Sequence, residues 1–441
     1  MKHPCNRPFP PSRLPFFYGW VILVAGTIGV LMSIPGQTMG VSVFTENLLK
    51  DLSINRNNLS LAYLVGTLIS GLLITRAGKL YDRYGARVMA FISGVMLGVV
   101  LFYLTRVDVL VYALVADGVN SRALITFILL AIGFFGIRFF GQGMMTMVSR
   151  NMVMKWFDKR RGLANAILGI FTALGFAIAP QILNQVIIRL EWRGAWLFLA
   201  ILVGLIFAIF VLIIFRDNPE DCGLKPDGKM KPGRNRRRPP SLPDRDFTLK
   251  EAHQTLAFWA FTLGLALSSL YISGLTFHVV SVFETAGMTK DMALGIFVPT
   301  SVIAVVIQFV CSYASDYIRL KYLLILFAVG MLITVVGLIM LGGMYMAYWM
   351  IITGNGIVWG LYSVLIGVTW PRFYGLKNLG AISGSSLSLT VIGSALGPYM
   401  FSLSGELTGS YDLVAWICLS VTIILFILAF KADNPNEKYI A

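Results

Sequence analysis

A single arginine, Arg138, interrupts an otherwise apolar run, Ile132-Gly133-Phe134-Phe135-Gly136-Ile137-Arg138-Phe139-Phe140. It lies about 17 residues, or roughly 25 Å of helix, from the basic cluster that begins at Lys155. A guanidinium at that depth is costly unless it faces a wet cavity or a partner. Its planar fork suits a carboxylate, so the chemistry it offers is binding of an organic anion. The competing role is donation to neighbouring backbone carbonyls. Gln142 lies one helical turn further on and shares its face. Gln37 follows a Pro35-Gly36 break, where freed carbonyls are tolerated if they line a cavity. His278, the only histidine within an apolar span, could titrate, and Gln308, Asn355 and Tyr362 are further polar candidates in apolar surroundings. No nucleophile–base pair, metal-ligand cluster or phosphate-cradling loop is visible. Binding is therefore expected rather than catalysis, with no metal and no cofactor.

The elements that must position these groups are membrane helices. The chain of 441 residues is 57% hydrophobic and only 13% charged, about half the charge of a soluble domain. Its apolar runs far exceed the ~10-residue alternating strands of a membrane barrel. Twelve spans can be drawn, at 17–44, 59–75, 88–104, 123–149, 163–187, 195–215, 255–283, 293–313, 322–341, 346–370, 379–402 and 413–430, most near the ~20 residues that cross a bilayer. The fold class expected is an all-α membrane protein.

The net charge of +15 orients the chain and is no nucleic-acid footprint. Of the 36 Lys and Arg, 28 fall in segments on one side of the twelve spans and 7 on the other, with Arg138 between them. That asymmetry predicts a cytoplasmic location for both termini in a multi-pass protein of the cell (inner) membrane. The four cysteines, Cys5, Cys222, Cys311 and Cys418, show no CxxC spacing. Two fall in segments assigned to the cytoplasm, so no disulfide framework is expected.

The chain divides, by this reading, into a cytoplasmic N-terminal tail (1–16), a six-helix bundle (17–215), a cytoplasmic linker (216–252), a second six-helix bundle (253–430) and a C-terminal tail (431–441). The linker carries GRNRRRPPSLPDRD and cannot bury a core. Val41-Ser42-Val43-Phe44 recurs as Val280-Ser281-Val282-Phe283, and Gly175–Pro180 (GFAIAP) matches Gly393–Pro398 (GSALGP). Two parallel pseudo-symmetric halves follow, with a solute site expected between them at the midplane.

Between the second and third spans stands Gly78-Lys79-Leu80-Tyr81-Asp82-Arg83-Tyr84-Gly85-Ala86-Arg87. This G-x-L-x-D-R-x-G-x-R loop resembles the signature of the major facilitator superfamily of secondary transporters. Its counterpart in the second half, Ser315-Asp316-Tyr317-Ile318-Arg319, keeps the charges and loses both glycines. The resemblance implies a conformational latch built from Gly78, Asp82, Arg83, Gly85, Arg87, Asp316 and Arg319.

Gly141-Gln142-Gly143, continuing to Trp156-Phe157-Asp158-Lys159-Arg160-Arg161-Gly162-Leu163-Ala164, is similar to the helix 4–5 region of monocarboxylate-porter-like and oxalate:formate-antiporter-like transporters. Asn218–Leu224 and Phe258-Trp259 fit the same branch. The resemblance implies transport of a small organic anion by alternating access. One departure narrows it: branch members place a basic residue in helix 8, and this chain has none there, which favours a monocarboxylate over a dianion. Glu46 and Glu284 fall at helix ends, so proton symport would rest on His278 or on the substrate itself. The alternatives are export of a neutral or amphipathic compound on the same fold and, less favoured, a transporter-like solute sensor. The partners expected are the small organic anion, protons and the lipid bilayer, for a chain working as a monomer.

Overall fold

The computed structural model describes residues 8–54, 56–114, 119–227 and 245–435. Most of the basic, proline-rich part of the linker lies outside them. Every regular element among the described residues is helical. Among the described residues ten helices are long and apolar enough to cross a membrane, and two of these, Asn58–Thr105 and Arg161–Ile214, are of double length. Counting each of those as two gives twelve spans, α1 to α12. They are α1 (Gly19–Leu31), α2 and α3 (the arms of Arg56–Thr105 on either side of Gly85), α4 (Arg122–Trp156), α5 and α6 (the arms of Arg161–Ile214 on either side of Glu191), α7 (Leu256–Thr285), α8 (Phe297–Ser315), α9 (Leu320–Ile339), α10 (Tyr345–Tyr374), α11 (Leu379–Thr408) and α12 (Asp412–Ala429).

The bends inside the two long helices are single-residue events. Gly85 has φ 85° and ψ 174°, a region open in practice only to glycine. Glu191 holds φ 59° and ψ 170°, nearly the same conformation on a side chain that pays for it in strain.

The chain packs as two compact units, Met1–Trp156 with Phe171–Lys229, and Phe157–Ile170 with Met230–Ala441. The first turns of α5 therefore pack within the second unit. In the first unit α1 is not continuous: it ends at Leu31, and a 3-10 turn, Ile34–Gly36, leads into a short helix, Thr38–Ser42. Pro35 supplies the break, since it donates no N–H. Opposite the break, α4 opens into a π-helical stretch, Ile137–Met145. A Cβ on Gly36 would fall 2.1 Å from the Ile137 carbonyl oxygen, so only glycine permits this approach.

At the far end of α6 the first unit is tied to the N-terminal segment. Arg216, 1% exposed, donates to the Phe9 carbonyl at 3.3 Å and lies 5.1 Å from that ring's centroid. The expectation about cysteines needs correction here. Cys311 and Cys418 are free and buried, but Cys222 is disulfide-bonded. The chain reversal that carries Phe9 to the exit of α6 has no mark in cysteine spacing, which is why the sequence does not show it.

In the second unit α7 packs on α11, α9 on α10 and α12, and α8 on α10, around a core that includes Phe258, Phe261, Tyr271, Phe327, Trp370 and Phe401. The GSALGP motif is a packing element here. A Cβ on Gly397 would fall 2.1 Å from the Leu270 carbonyl, so α7 and α11 touch backbone to backbone. Pro398 leaves the Ser394 carbonyl without its helical donor, and Ser273 Oγ donates to it at 2.9 Å.

Candidate functional site

Arg138 sits inside the π-helical stretch, 1% exposed. Its Nη1 donates to the Gly36 carbonyl at 3.1 Å and to Thr38 Oγ1 at 3.4 Å. The guanidinium carbon lies 5.3 Å from the Tyr63 ring centroid, within cation–π range, and Tyr63 Oη in turn bonds Thr38 Oγ1 at 3.0 Å. The arginine thus takes up a carbonyl at the helix break, which is the competing role read from sequence. It does so with part of its donor set only. Nε is buried without a hydrogen-bond partner, and no carboxylate pairs with the guanidinium among the described residues.

Gln142 stands on the same stretch, and its Oε1 is also buried and unpartnered. Gln37 is brought near the break but is occupied otherwise: its Nε2 donates to Ser33 Oγ at 3.0 Å and to Thr146 Oγ1 at 3.3 Å, with Thr146 Oγ1 donating to Ser33 Oγ at 3.1 Å. That closed trio reads as helix-to-helix adhesion more than as an open binding group.

Within the second unit, a small void of about 10 Å³ is lined by Thr276, Phe297, Thr300, Asn355 and Trp359 among others. Asn355 is 2% exposed, and its Oδ1 and the Nε1 of Trp359 have no hydrogen-bond partner. The remaining candidates lie elsewhere. His278 turns to α11, with Nε2 3.0 Å from the Pro398 carbonyl and its ring stacked 6.4 Å from that of Phe401. Gln308 is buried with Nε2 unpartnered, against Gly169. Tyr362 packs on the hydrophobic core.

The loop residues divide in a similar way. Gly78 is buried, Asp82 is half-buried, and Arg83 is exposed with its guanidinium 5.3 Å from the Tyr84 ring. Arg87 is buried; its backbone N–H donates to Asp217 Oδ1 at 2.9 Å, and its Nη2 donates to the Leu212 carbonyl. Burial raises the Asp217 carboxyl above its ordinary range, against the N–H groups that favour the charge. Asp316 accepts from the Gly162 N–H at 2.9 Å and pairs with Arg372. Arg319 reaches Asp433 at 4.0 Å, where Lys321 is closer at 2.6 Å.

Sequence reasoning passed over several of these groups. Tyr63 offers a ring face, Asp217 serves backbone N–H groups, and Arg372 pairs with Asp316 across 56 residues of chain, none of which leaves a spacing pattern. A charge cluster at Arg193 was also missed. It pairs with Asp51 at 3.0 Å and Asp108 at 2.5 Å, while Trp192 Nε1 donates to Asp51 at 2.9 Å.

Among the described residues, apolar helices in two units with lone polar groups buried among them are the frame of a multi-pass membrane protein. The family model of the Major Facilitator Superfamily matches residues 21–398, and the chain belongs to that superfamily. An L-fucose-proton symporter of Haemophilus influenzae is 23% identical over 152 residues, 34% of each chain, so the match spans about a third of that relative. Among solved structures, the proton:xylose symporter XylE aligns over 95% of this chain and 98% of its own, with a TM-score of 0.61 and 16% identity. The E. coli fucose:proton symporter FucP aligns over 95% and 100%, with a TM-score of 0.64 and 11% identity. A bacterial homologue of the iron transporter ferroportin gives 0.62 at 16% identity, over 93% and 99%. At these identities the likeness shows the fold alone; that the chain is a multi-pass membrane transporter follows from its membership of the superfamily.

Proposed function

We propose that this chain moves a small organic anion, a monocarboxylate, across the cell (inner) membrane by alternating access, in symport with a proton. The observation that carries the reading is Arg138: a buried guanidinium with an unused Nε and no ion pair among the described residues. A single uncompensated cation in an apolar bundle favours a monoanion over a dianion, because each further negative charge would be desolvated without a counter-charge. The proton symporters of fucose and xylose among the similar proteins support coupling to a proton. With His278 engaged on a backbone carbonyl, the protonated acid itself is the simplest carrier of that proton. Both termini are placed in the cytoplasm by the charge asymmetry, and the chain is read as a monomer.

The test is uptake of radiolabelled short-chain monocarboxylates into proteoliposomes under an inward proton gradient. Arg138→Ala is expected to reduce uptake by about 10- to 100-fold, the worth of a charge-assisted hydrogen bond, with partial retention in Arg138→Lys. Unchanged uptake by Arg138→Ala would sink the anion reading.

A second reading, transport of a neutral solute, is favoured by the bonds of Arg138 to Gly36 and Thr38. There the arginine only splints the helix break. Under it, loss of Trp359 would impair transport and the loss of Arg138 would lower thermal stability but leave specificity intact.

A further inference from the structure

We propose that Arg193 is the pin of a strained clasp that holds three connections of the first unit together, and that Glu191 stores the strain that opens the clasp when the pin lets go. Its working does not depend on which solute the chain carries or on the role of Arg138.

Three connections meet at this one side chain. The short helix Thr45–Leu52, between α1 and α2, brings Asp51, and the short helix Val107–Leu114, between α3 and α4, brings Asp108. The bend between α5 and α6 brings Trp192 and Arg193. By the charge asymmetry all three lie on the side away from the cytoplasm. Nη1 of Arg193 stands 3.0 Å from Asp51 Oδ2, and Nη2 stands 2.5 Å from Asp108 Oδ2. Trp192 Nε1 donates to the same Asp51 oxygen at 2.9 Å, and the guanidinium lies 4.3 Å from the centroid of the Trp192 ring.

The clasp is seated on buried rings and closed by exposed charge. Trp192 is 5% exposed; its ring meets Trp196 edge-on at 5.2 Å, and Trp196 stacks on Phe44 at 4.8 Å. The Arg193 side chain is 39% exposed, so solvent ions reach the pin and screen it. Asp108 Oδ1 is buried without a hydrogen-bond partner. Two carboxylates thus answer to one cation. Withdrawal of that cation leaves two like charges side by side, which repel, so the three connections part together and not one at a time.

The strain lies one residue before the pair that makes the bonds. Glu191 holds φ 59° and ψ 170°, a region that a side chain occupies only where its surroundings over-determine the backbone. The bonds that do so are those of the next two residues, Trp192 and Arg193, to aspartates of other connections. Once those bonds part, Glu191 returns to an ordinary backbone region and swings both side chains away from their partners. The closed state carries the strain and the open state does not. The cluster is therefore a two-state element with a spring set against its own ion pairs.

The test is hydrogen–deuterium exchange on the full-length protein in nanodiscs, read at residues 45–53, 107–114 and 189–196. Arg193→Gln is expected to accelerate exchange by about three- to tenfold in all three segments together. The native chain should show the same joint acceleration between low salt and about 1 M salt, where the screening length falls to about 3 Å, and Arg193→Gln should show none. Glu191→Gly should slow exchange in the native background and leave it unchanged in Arg193→Gln, where the strain is already released. Acceleration confined to residues 189–196 overturns the clasp, and so does a native chain indifferent to salt, a measurement that needs no substitution. Equal slowing by Glu191→Gly in both backgrounds overturns Glu191 as the store of strain.

Discussion

Two glycines in different units hold almost the same backbone conformation, and each is answered by an aspartate. Gly85 (φ 85°, ψ 174°) is followed by N–H groups of Ala86 and Arg87 that bond Asp217. Gly375 (φ 83°, ψ −171°) is followed by the N–H groups of Leu376 and Lys377, 2.9 and 3.1 Å from Asp246 Oδ1. The sequence places the second-half counterpart of the signature loop at Ser315–Arg319, where both glycines are missing. The structure shows the glycine–carboxylate device again at a different connection, between α10 and α11. The pair differs in its solvent. Asp217 is half-buried and Asp246 exposed. What is duplicated is thus a way of closing a helical turn, and the burial of the carboxylate decides how much each copy can bear.

The sharpest break in this comparison is expected from Gly85→Ala. Its Cβ would fall 2.4 Å from Asp217 Oδ2 on a backbone closed to alanine, so a loss of about 2–3 kcal/mol should appear as a lower Tm in detergent. Gly375→Ala meets Asp246 Oδ1 at 2.2 Å, but that exposed side chain can swing away, and about half the effect is expected. A Tm loss for Gly375→Ala larger than for Gly85→Ala would reverse the ranking by burial.

Glu191 sharpens the same point with the opposite sign. It occupies glycine's region without being glycine, so Glu191→Gly is expected to stabilise by about 1 kcal/mol, read by the same thermal measurement. A smaller effect follows from the carboxyl of Asp217. Its pKa is raised on folding, so the folded state binds the proton more tightly than the unfolded chain. Its contribution to stability is therefore greatest below the ordinary carboxylate range and declines as pH rises from there through the raised value. The difference in Tm between the native chain and Asp217→Asn should shift across that interval, and a difference flat in pH would remove burial as the distinguishing term. Smallest in its effect on stability, Asp82→Asn is expected to slow turnover several-fold with little change in solute affinity, measured as initial uptake rates at saturating and limiting solute.

The twelve spans were legible because lipid demands length and apolarity of every helix, and both are visible residue by residue. Arg138 was legible for the same reason: one charge stands out where charge is expensive. Its partner was half legible. Pro35-Gly36 marks a break, but which carbonyl the break offers depends on the π-helical stretch opposite, and no residue type signals that wide turn. Asp217 and Asp246 were not legible, since each serves backbone N–H groups set by a glycine's φ rather than any side chain. Gln37 and His278 were found as polar outliers, yet Ser33, Thr146 and Pro398 engage them; composition shows that a polar group is present without showing whether it is already satisfied.

The π-helical stretch Ile137–Met145 also makes α4 a rotary joint. Its i→i+5 ladder holds about one residue more per turn than the flanking α-helix. Were those turns to tighten to the ordinary i→i+4 pattern, the portion of α4 before them would rotate by about 100° relative to the portion after. Arg138 lies at the start of that stretch and Thr146 just beyond its end. A change in winding would therefore turn the arginine away from the Gly36 carbonyl and leave the trio of Ser33, Gln37 and Thr146 in place.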